Sequence, residues 1–521
     1  MKFLNLDTQF QPFETSIQFE QFTFSGGEPH IQIKDTIHRN QYPEGTELVY
    51  SNWTPRKSRV EGVEKIVFFG LQYFIKKYLQ EEFDRNFFGR PKAEVVRQYR
   101  RRISNYLGAD IKYEHVEALH DLGYLPVEIK ALKEGTLVPI KTPMFTIKNT
   151  LPEFFWVTNF LETIMSCIMW LPCTSATTAF EYKKILNRYV DLTGGDSDFV
   201  NLQGHDFSFR GMAGLEAAMM SGAAHLLSFT GTDSIPAIDF LEQYYHADSD
   251  KEVVGLSVPA TEHSVMCMGT ELNEIETFRR LINEAYPSGI VSIVSDTWDY
   301  WKVITEYIST LKNDILKRDG KVVIRPDSGD PVKIICGDPD ATPGTPEYKG
   351  SVECLWETFG GTTSEKGYKL LDPHIGLIYG DSITLARCEA ICKQLEDKGF
   401  ASANVVFGIG SYTYQYVTRD TYGFAMKATY GEVNGKGRAI FKNPKTDDGT
   451  KKSAKGLIRI DGENGRVTQM HDEATWAEEK GGMLQTIYKD GKLLQETTLS
   501  EIRALMDIQM KHETAEEMAF V

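Results

Sequence analysis

The sequence predicts an α/β protein. An irregular, barrel-like (β/α) domain is joined to an α+β domain built from the N- and C-terminal regions. Three observations predict it. Short apolar or β-branched runs stop abruptly at Gly, Asp, His or Arg. The stops recur about every 30 residues, the length of one βα unit. Segments of helical character lie between them.

The stops come in order. They are His205-Asp206-Phe207, Gly231-Thr232-Asp233, Pro259 to His263, Ser295-Asp296, Arg325 to Gly329, Gly380-Asp381 and Gly408 to Ser411. Before them run Ile290 to Val294, Val322 to Ile324, Ile375 to Tyr379 and Val405 to Phe407, which read as buried parallel strands. The apolar run from Ala223 to Thr230 is read as a strand that empties into Gly231. The longer gap between Asp327 and Asp381 holds a stretch rich in Gly, Pro and Asp, from Gly337 to about Lys369, expected as an inserted loop. Helices are expected over Gly214 to His225, over Glu271 to Ala285 with an apolar stripe from Leu272 to Ile282, and over Thr384 to Lys398 with Asp381-Ser382 as cap. Seven units favour closure into a barrel; an open doubly wound sheet is the alternative.

The expected organisation is an N-terminal α+β region over 1–196, the catalytic barrel-like domain over 197–411, and a C-terminal region over 412–521 that packs with the N-terminal one. Strand signals stand at Leu137 to Thr146, Gly456 to Asp461 and Met483 to Tyr488, and a last helix near Ser500 to Lys511. The basic run from Arg90 to Ile103 reads as a solvated helix face.

With 521 residues and 41% hydrophobic content, the chain can build two or three sizeable cores. A net charge of −16 argues against a nucleic-acid binder and suits a cytoplasmic enzyme. The N-terminus lacks the apolar core of a signal peptide, and Phe154 to Pro172 reads as a buried helix rather than a membrane span. The seven cysteines form no CxxC and no zinc pattern, and are expected as reduced, buried thiols.

The chemistry of the strand ends is specific. Arg210, Arg325 and Arg419 supply guanidinium groups suited to phosphate. Gly408, Gly410 and Ser411 expose backbone N–H groups after a strand. Asp206, Asp233, Asp296, Asp327 and Asp381 offer carboxylates for sugar hydroxyls or Mg²⁺. No Walker A sequence, H-E-x-x-H or serine-triad spacing occurs. These residues point to a sugar-phosphate enzyme. Lys442 to Lys455 reads from composition as a solvated loop, with a mobile anion clamp as the alternative.

The motifs G-H-D-F-S-F-R-G, F-T-G-T-D, S-V-P-A-T-E-H-S, V-S-D-T-W-D, I-R-P-D-S-G-D-P, Y-G-D-S-I and T-R-D occur in the order found in the nicotinamide phosphoribosyltransferase family, within the type II phosphoribosyltransferases. The resemblance extends from Gln41 (Q-Y-P-E-G-T) to F-K-N-P at Phe441 and beyond. It implies synthesis of nicotinamide mononucleotide and pyrophosphate from nicotinamide and phosphoribosyl pyrophosphate, in NAD salvage. It implies Phe207, Asp233 and Arg325 at the nicotinamide, and Arg210, His263 and Arg325 at the diphosphate. Asp327, Gly380, Asp381, Gly410, Ser411 and Arg419 would hold ribose and its phosphate. Arg56, Lys427, Lys442 and Lys451 would be basic contacts to phosphoribosyl pyrophosphate, partly across a homodimer interface, so the resemblance favours the clamp for Lys442 and Lys451. His263, Asp327 and Asp296 would be the catalytic set, with Mg²⁺ as cofactor, metal ligands unassigned, and ATP coupled through phosphorylated His263. A nicotinate (or other base) enzyme and a non-catalytic nucleotide-binding member are the alternatives. The chain departs from the family at Ile33 to His38, which lacks the ring-stacking tyrosine of D-S-Y-K, and at G-I-G-S-Y, which has fewer glycines.

Overall fold

The structure, a computed structural model, describes residues 38–446, 452–463 and 465–519. The departure at residues 33–37 and Lys451 lie outside the described residues.

One layer is a seven-stranded sheet. Its strands in chain order are β1 (Thr46–Thr54), β2 (Val127–Ala131), β3 (Phe145–Asn149), β10 (Ala425–Val433), β11 (Lys436–Ala439), β12 (Gln485–Lys489) and β13 (Lys492–Leu493). They lie in the order β11-β10-β1-β3-β2-β12-β13, every pair antiparallel. Strands from the two ends of the chain thus share one sheet. Trp53 of β1 stacks on Phe424 at 5.3 Å and 3° and on Phe145 at 6.2 Å and 17°. Such ring pairs add about 0.5–1.5 kcal/mol each beyond their buried area.

The second layer is a barrel of parallel strands: β4 (Gly204–Asp206), β5 (Gly231–Thr232), β6 (Ser288–Val294), β7 (Asp319–Arg325), β8 (Ile375–Tyr379) and β9 (Val405–Ile409). Their order is β5-β4-β9-β8-β7-β6. The segment from Leu256 to Thr261 closes the ring. Leu256 N–H donates to Thr230 at 2.8 Å, and Leu256 C=O accepts from Thr232 N–H at 2.9 Å. On the other side Thr261 N–H donates to Ser292, and Pro259 C=O accepts from Ser292 N–H, both at 2.9 Å. The seven expected stops therefore lie around one closed barrel, and the open sheet is excluded.

Helix α1 (Glu162–Thr193) ties the layers together. Ile164, Met165 and Met169 lie in the first core, and Tyr182, Leu186 and Val190 in the barrel core. Phe154 to Pro172 is mostly buried, as its apolar sequence predicts, but Cys167 is exposed and the segment is broken into short helical pieces ahead of α1 rather than forming one helix. Among the described residues no single helix is long and apolar enough to cross a membrane; the one bent pair that passes by length and composition includes α1.

Several expectations need correction. The run from Ala223 to Thr230 is not a strand: α2 (Leu215–His225) continues to His225 and a turn follows. Only Gly231-Thr232 pairs, with His205 and Asp206 of the three-residue strand beside it. The insertion after Gly337 is ordered, with helix Ser351–Phe359 and a hairpin of Gly361–Thr363 with Lys369–Leu371. Leu272 leaves the expected apolar stripe and is 94% exposed. The helix Leu385–Asp397 is capped by Thr384, whose hydroxyl accepts from Arg387 N–H at 3.2 Å, not by Asp381-Ser382. All seven cysteines are free thiols, but Cys167 and Cys267 are exposed rather than buried.

Candidate active site

Strand alternation decides which strand-end residues face the barrel interior. On β4, His205 points inward and Phe207 follows it on the same side, their rings 4.7 Å apart. Asp206 points out of the barrel and is fully buried behind it, where it accepts from Ser208 N–H at 2.9 Å. Asp206 therefore does not belong with the other strand-end carboxylates. On β7, Lys321, Val323 and Arg325 alternate inward. These side chains line a cavity of about 570 Å³ running along the barrel interior, with His205, Phe207, Asp233, Ser257 and Arg325 on its wall.

Asp233 is the polar focus of this cavity. Its Oδ1 accepts from Ser257 Oγ at 2.6 Å and faces His205 Nε2 at 2.9 Å. Burial works to raise its pKa, but the hydrogen bonds from His205 and Ser257 and the charge of Arg325 outweigh it and hold the carboxyl below its ordinary range. Two glycines make room for the neighbouring groups. A Cβ on Gly408 would lie 2.5 Å from the Phe207 ring, and one on Gly380 would lie 2.2 Å from Asp327 Oδ1. At both positions the backbone takes the space a side chain would fill.

A second cluster lies at the ends of β6 and β7. Asp296 Oδ2 accepts from Asp327 N–H at 2.9 Å and Ser328 Oγ at 2.6 Å. Asp296 Oδ1 faces His263 Nε2 at 3.4 Å, and Arg325 Nε faces Asp327 Oδ1 at 3.5 Å. Burial raises the Asp327 carboxyl above its ordinary value; Arg325 opposes this and Asp296 adds to it. The Oδ1 atoms of both aspartates are buried without a hydrogen-bond partner. Asp381 is exposed beside them.

Ser411 lies against the turn that carries Arg210: a Cβ on Gly211 would fall 1.9 Å from Ser411 Oγ. Arg210 is exposed there. Arg419 is half exposed, 3.3 Å from Asp420. Arg56 and Lys427 belong to the other layer. Arg56 Nε donates to Gly423 C=O at 2.9 Å, and Lys427, on β10, lies 3.6 Å from Glu162. Lys442 is exposed, its backbone bonded to Ser453. The structure thus joins His263, Asp296, Asp327 and Arg325, and separately Phe207 and Asp233. Sequence reasoning quoted Ser257 only as part of a motif and gave it no part at Asp233. A hydroxyl two residues before Pro259, on the segment that closes the barrel, was the available signal.

Carboxylates and guanidinium groups at the C-terminal ends of barrel strands, at one end of a cavity of about 570 Å³, are the parts of a barrel enzyme that handles a phosphorylated ligand. A model of the nicotinate phosphoribosyltransferase family matches residues 202–491, and one of the nicotinamide phosphoribosyltransferase N-terminal domain matches residues 33–129. A nicotinamide phosphoribosyltransferase of Acinetobacter baylyi is 57% identical over 493 residues, covering 92% of this chain and 97% of that protein. One of Xanthomonas campestris pv. campestris is 33% identical over 477 residues, covering 90% and 96%. The nicotinate-nucleotide pyrophosphorylase of Pyrococcus furiosus shares the fold, with a TM-score of 0.55 at 14% identity over 98% of each chain. The chain belongs to the nicotinate phosphoribosyltransferase family, and within it stands beside the nicotinamide phosphoribosyltransferases.

Proposed function

We propose that this chain makes nicotinamide mononucleotide and pyrophosphate from nicotinamide and phosphoribosyl pyrophosphate, serving NAD salvage. The observation that carries the reading is Asp233, held ionised by Ser257 and His205 on the wall of the barrel cavity. A carboxamide NH₂ donates to such an acceptor. The carboxylate of nicotinate has no donor and is repelled by it.

Phe207 supplies a ring face for the pyridine, and Gly408 behind it fixes the ring's depth. The pyridine nitrogen attacks C1 of the ribose with its own lone pair. The bond from C1 to the pyrophosphate oxygen breaks, and pyrophosphate leaves with that electron pair. No proton has to move, so the chain's task is positioning and charge stabilisation. Arg210 and Arg325 face the leaving charge, Asp327 and Asp381 the ribose hydroxyls, and Ser411 and Arg419 the 5′-phosphate. Arg56, Lys427, Lys442 and Lys451 are further basic contacts to phosphoribosyl pyrophosphate, shared across a homodimer in the cytoplasm.

Among the described residues no three His, Cys, Asp or Glu side chains converge as a protein-only metal cage. The donor set fits Mg²⁺ brought in with the substrate, which the carboxylates of Asp296 and Asp327 would hold; their buried Oδ1 atoms make no hydrogen bond. When bound there, Mg²⁺ offsets the charge of the diphosphate. Asp296 orients His263, the group through which ATP is coupled.

The test is incubation of the native chain with phosphoribosyl pyrophosphate, Mg²⁺ and either base, following both mononucleotides by mass spectrometry. Preferential nicotinamide mononucleotide formation is expected, with the preference collapsing in Asp233→Asn. Preference for nicotinate would overturn the reading in favour of the nicotinate enzyme. Binding without turnover would favour a nucleotide-binding member.

A further inference from the structure

Behind the barrel wall lies a buried polar chain that the reaction does not use. Tyr414 ends the helical turn Ser411–Tyr414 and is 1% exposed. Its hydroxyl lies 2.7 Å from His225 Nδ1, and His225 Nε2 lies 3.1 Å from Gly231 C=O. His225 is fully buried and its ring is stacked on Phe229 at 5.1 Å. The carbonyl can only accept, so Nε2 carries the proton and Nδ1 accepts from Tyr414. Burial agrees with a neutral ring, pushing His225 down to about 4 against the pull of Asp206. The direction of every hydrogen bond is therefore fixed: Tyr414 to His225 to Gly231.

The two ends of this chain stand at the two halves of the site. Tyr414 N–H donates to Gly410 C=O at 3.2 Å, in the turn that begins with Ser411. Gly231 begins the two-residue strand that leads into Asp233. That strand is two residues long and is held by few bonds: Thr232 N–H to Leu256, Asp233 N–H to Asp206, and His225 to the Gly231 carbonyl, so each of them bears on its position.

We propose that Tyr414, acting through His225, is a positioning residue that couples the phosphate cradle at Gly410-Ser411 to the base-recognising Asp233, so that filling one half of the site tightens the other. The proposal rests on the phosphoribosyltransferase reading above. Occupancy at Ser411 orders the Tyr414 turn. Through two hydrogen bonds of fixed direction, that order reaches the strand carrying Asp233.

Calorimetry of nicotinamide binding to the native chain, without and with saturating ribose 5-phosphate, measures the coupling. A tightening of at least about fivefold is expected, at the low end of ordinary coupling between sites. In Tyr414→Phe, which keeps the ring and loses only the hydroxyl, the tightening is expected to vanish, and KM for both substrates to rise more than kcat falls. His225→Gln, read by the same ratio, serves if Tyr414→Phe does not fold. A tyrosine of purely structural importance would lower the thermal midpoint and leave the tightening intact. That outcome, or no tightening in the native chain, overturns the proposal alone. Failure of the native chain to bind either probe overturns the functional reading with it.

Discussion

Ser257 Oγ donates a 2.6 Å hydrogen bond to Asp233 Oδ1, the same oxygen that faces His205 Nε2 at 2.9 Å. Ser257 sits on the segment that closes the barrel and Asp233 follows β5. The acceptor proposed to read the base is thus held by a neighbour from the next unit of the barrel. Hydrogen bonds to a carboxylate favour its charged form. The Asp233 carboxyl accordingly stays ionised below its ordinary pKa range, and nicotinamide binding is expected to persist to acid pH and to fail as pH falls through that depressed value. Ser257→Ala should raise the acid limb of kcat/KM for nicotinamide and lower kcat/KM at neutral pH by roughly 10- to 100-fold, since a hydrogen bond to a charged group is worth about 1.5–3 kcal/mol. A pH–rate profile checks it; an unmoved acid limb would count against Ser257.

Gly408 and Gly380 test the site's shape from two sides. Gly408→Ala meets the Phe207 ring and should raise KM for nicotinamide about tenfold, the equivalent of ~1.4 kcal/mol. Gly380→Ala meets Asp327 Oδ1 instead and displaces it, so kcat/KM for phosphoribosyl pyrophosphate should fall by roughly 100-fold, the scale for an ångström of misplacement. Steady-state kinetics with each substrate varied in turn separates the two effects. The same defect in both variants would mean that the base and ribose sites are not separate in this way.

Glu274 gives the fold its own pH dependence. It is buried at the start of helix Glu274–Arg280, and its Oε1 has no hydrogen-bond partner. Burial raises it to about 7, with Asp299 and Glu271 adding and Lys302 opposing. A carboxyl raised in the folded state binds its proton more tightly folded than unfolded, so its contribution to stability is full below the ordinary value and is lost as pH rises towards 7. Glu274→Gln should flatten that slope and raise the thermal midpoint at neutral pH. Melting curves between pH 5 and pH 8, compared with the native chain, decide it: an unchanged slope means the group titrates normally.

His263 faces Asp296 at 3.4 Å, and Asp296 is anchored in turn by Asp327 N–H and Ser328. ATP is expected to raise the yield of nicotinamide mononucleotide with the native chain and to leave the yield of His263→Ala unchanged. Asp296→Asn should fall between them, because it weakens the ring's orientation without removing the acceptor nitrogen. Equal stimulation by ATP in all three would rule out coupling through this histidine.

Much of the barrel was legible because its signals are local. β8 and β9 are apolar or β-branched runs with polar ends, and Ile375–Tyr379 is the stretch the sequence marks. Period-two alternation would also have separated His205, facing inward, from Asp206, facing outward. Seven stops favoured closure, but the way the ring closes was not legible. The segment from Leu256 to Thr261 has Pro259 in its middle, and it joins the ring through isolated bridges to Gly231 and Ser292 rather than through a strand of its own. The strand expected before Gly231 failed for the converse reason: an apolar run cannot distinguish a buried helix end from a buried strand. Ser257 and the Tyr414–His225 pair were invisible because their partners lie 24 and 189 residues away in sequence. No spacing rule links residues brought together only by barrel closure.

The shared antiparallel sheet sets an order on biosynthesis. β1 pairs with β3 on one edge, but its other edge needs β10, which leaves the ribosome only after the whole barrel. At about 5–20 residues per second, the stretch between Thr54 and Ala425 takes on the order of 20–75 s to translate. Through that interval the N-terminal layer must wait with two hydrogen-bonding edges bare while the barrel forms beside it: that of β2 until β12 arrives and, before that, that of β1 until β10 does. A nascent chain stalled before Ala425 would expose those edges to any passing strand, whereas release of the full length seals them from within.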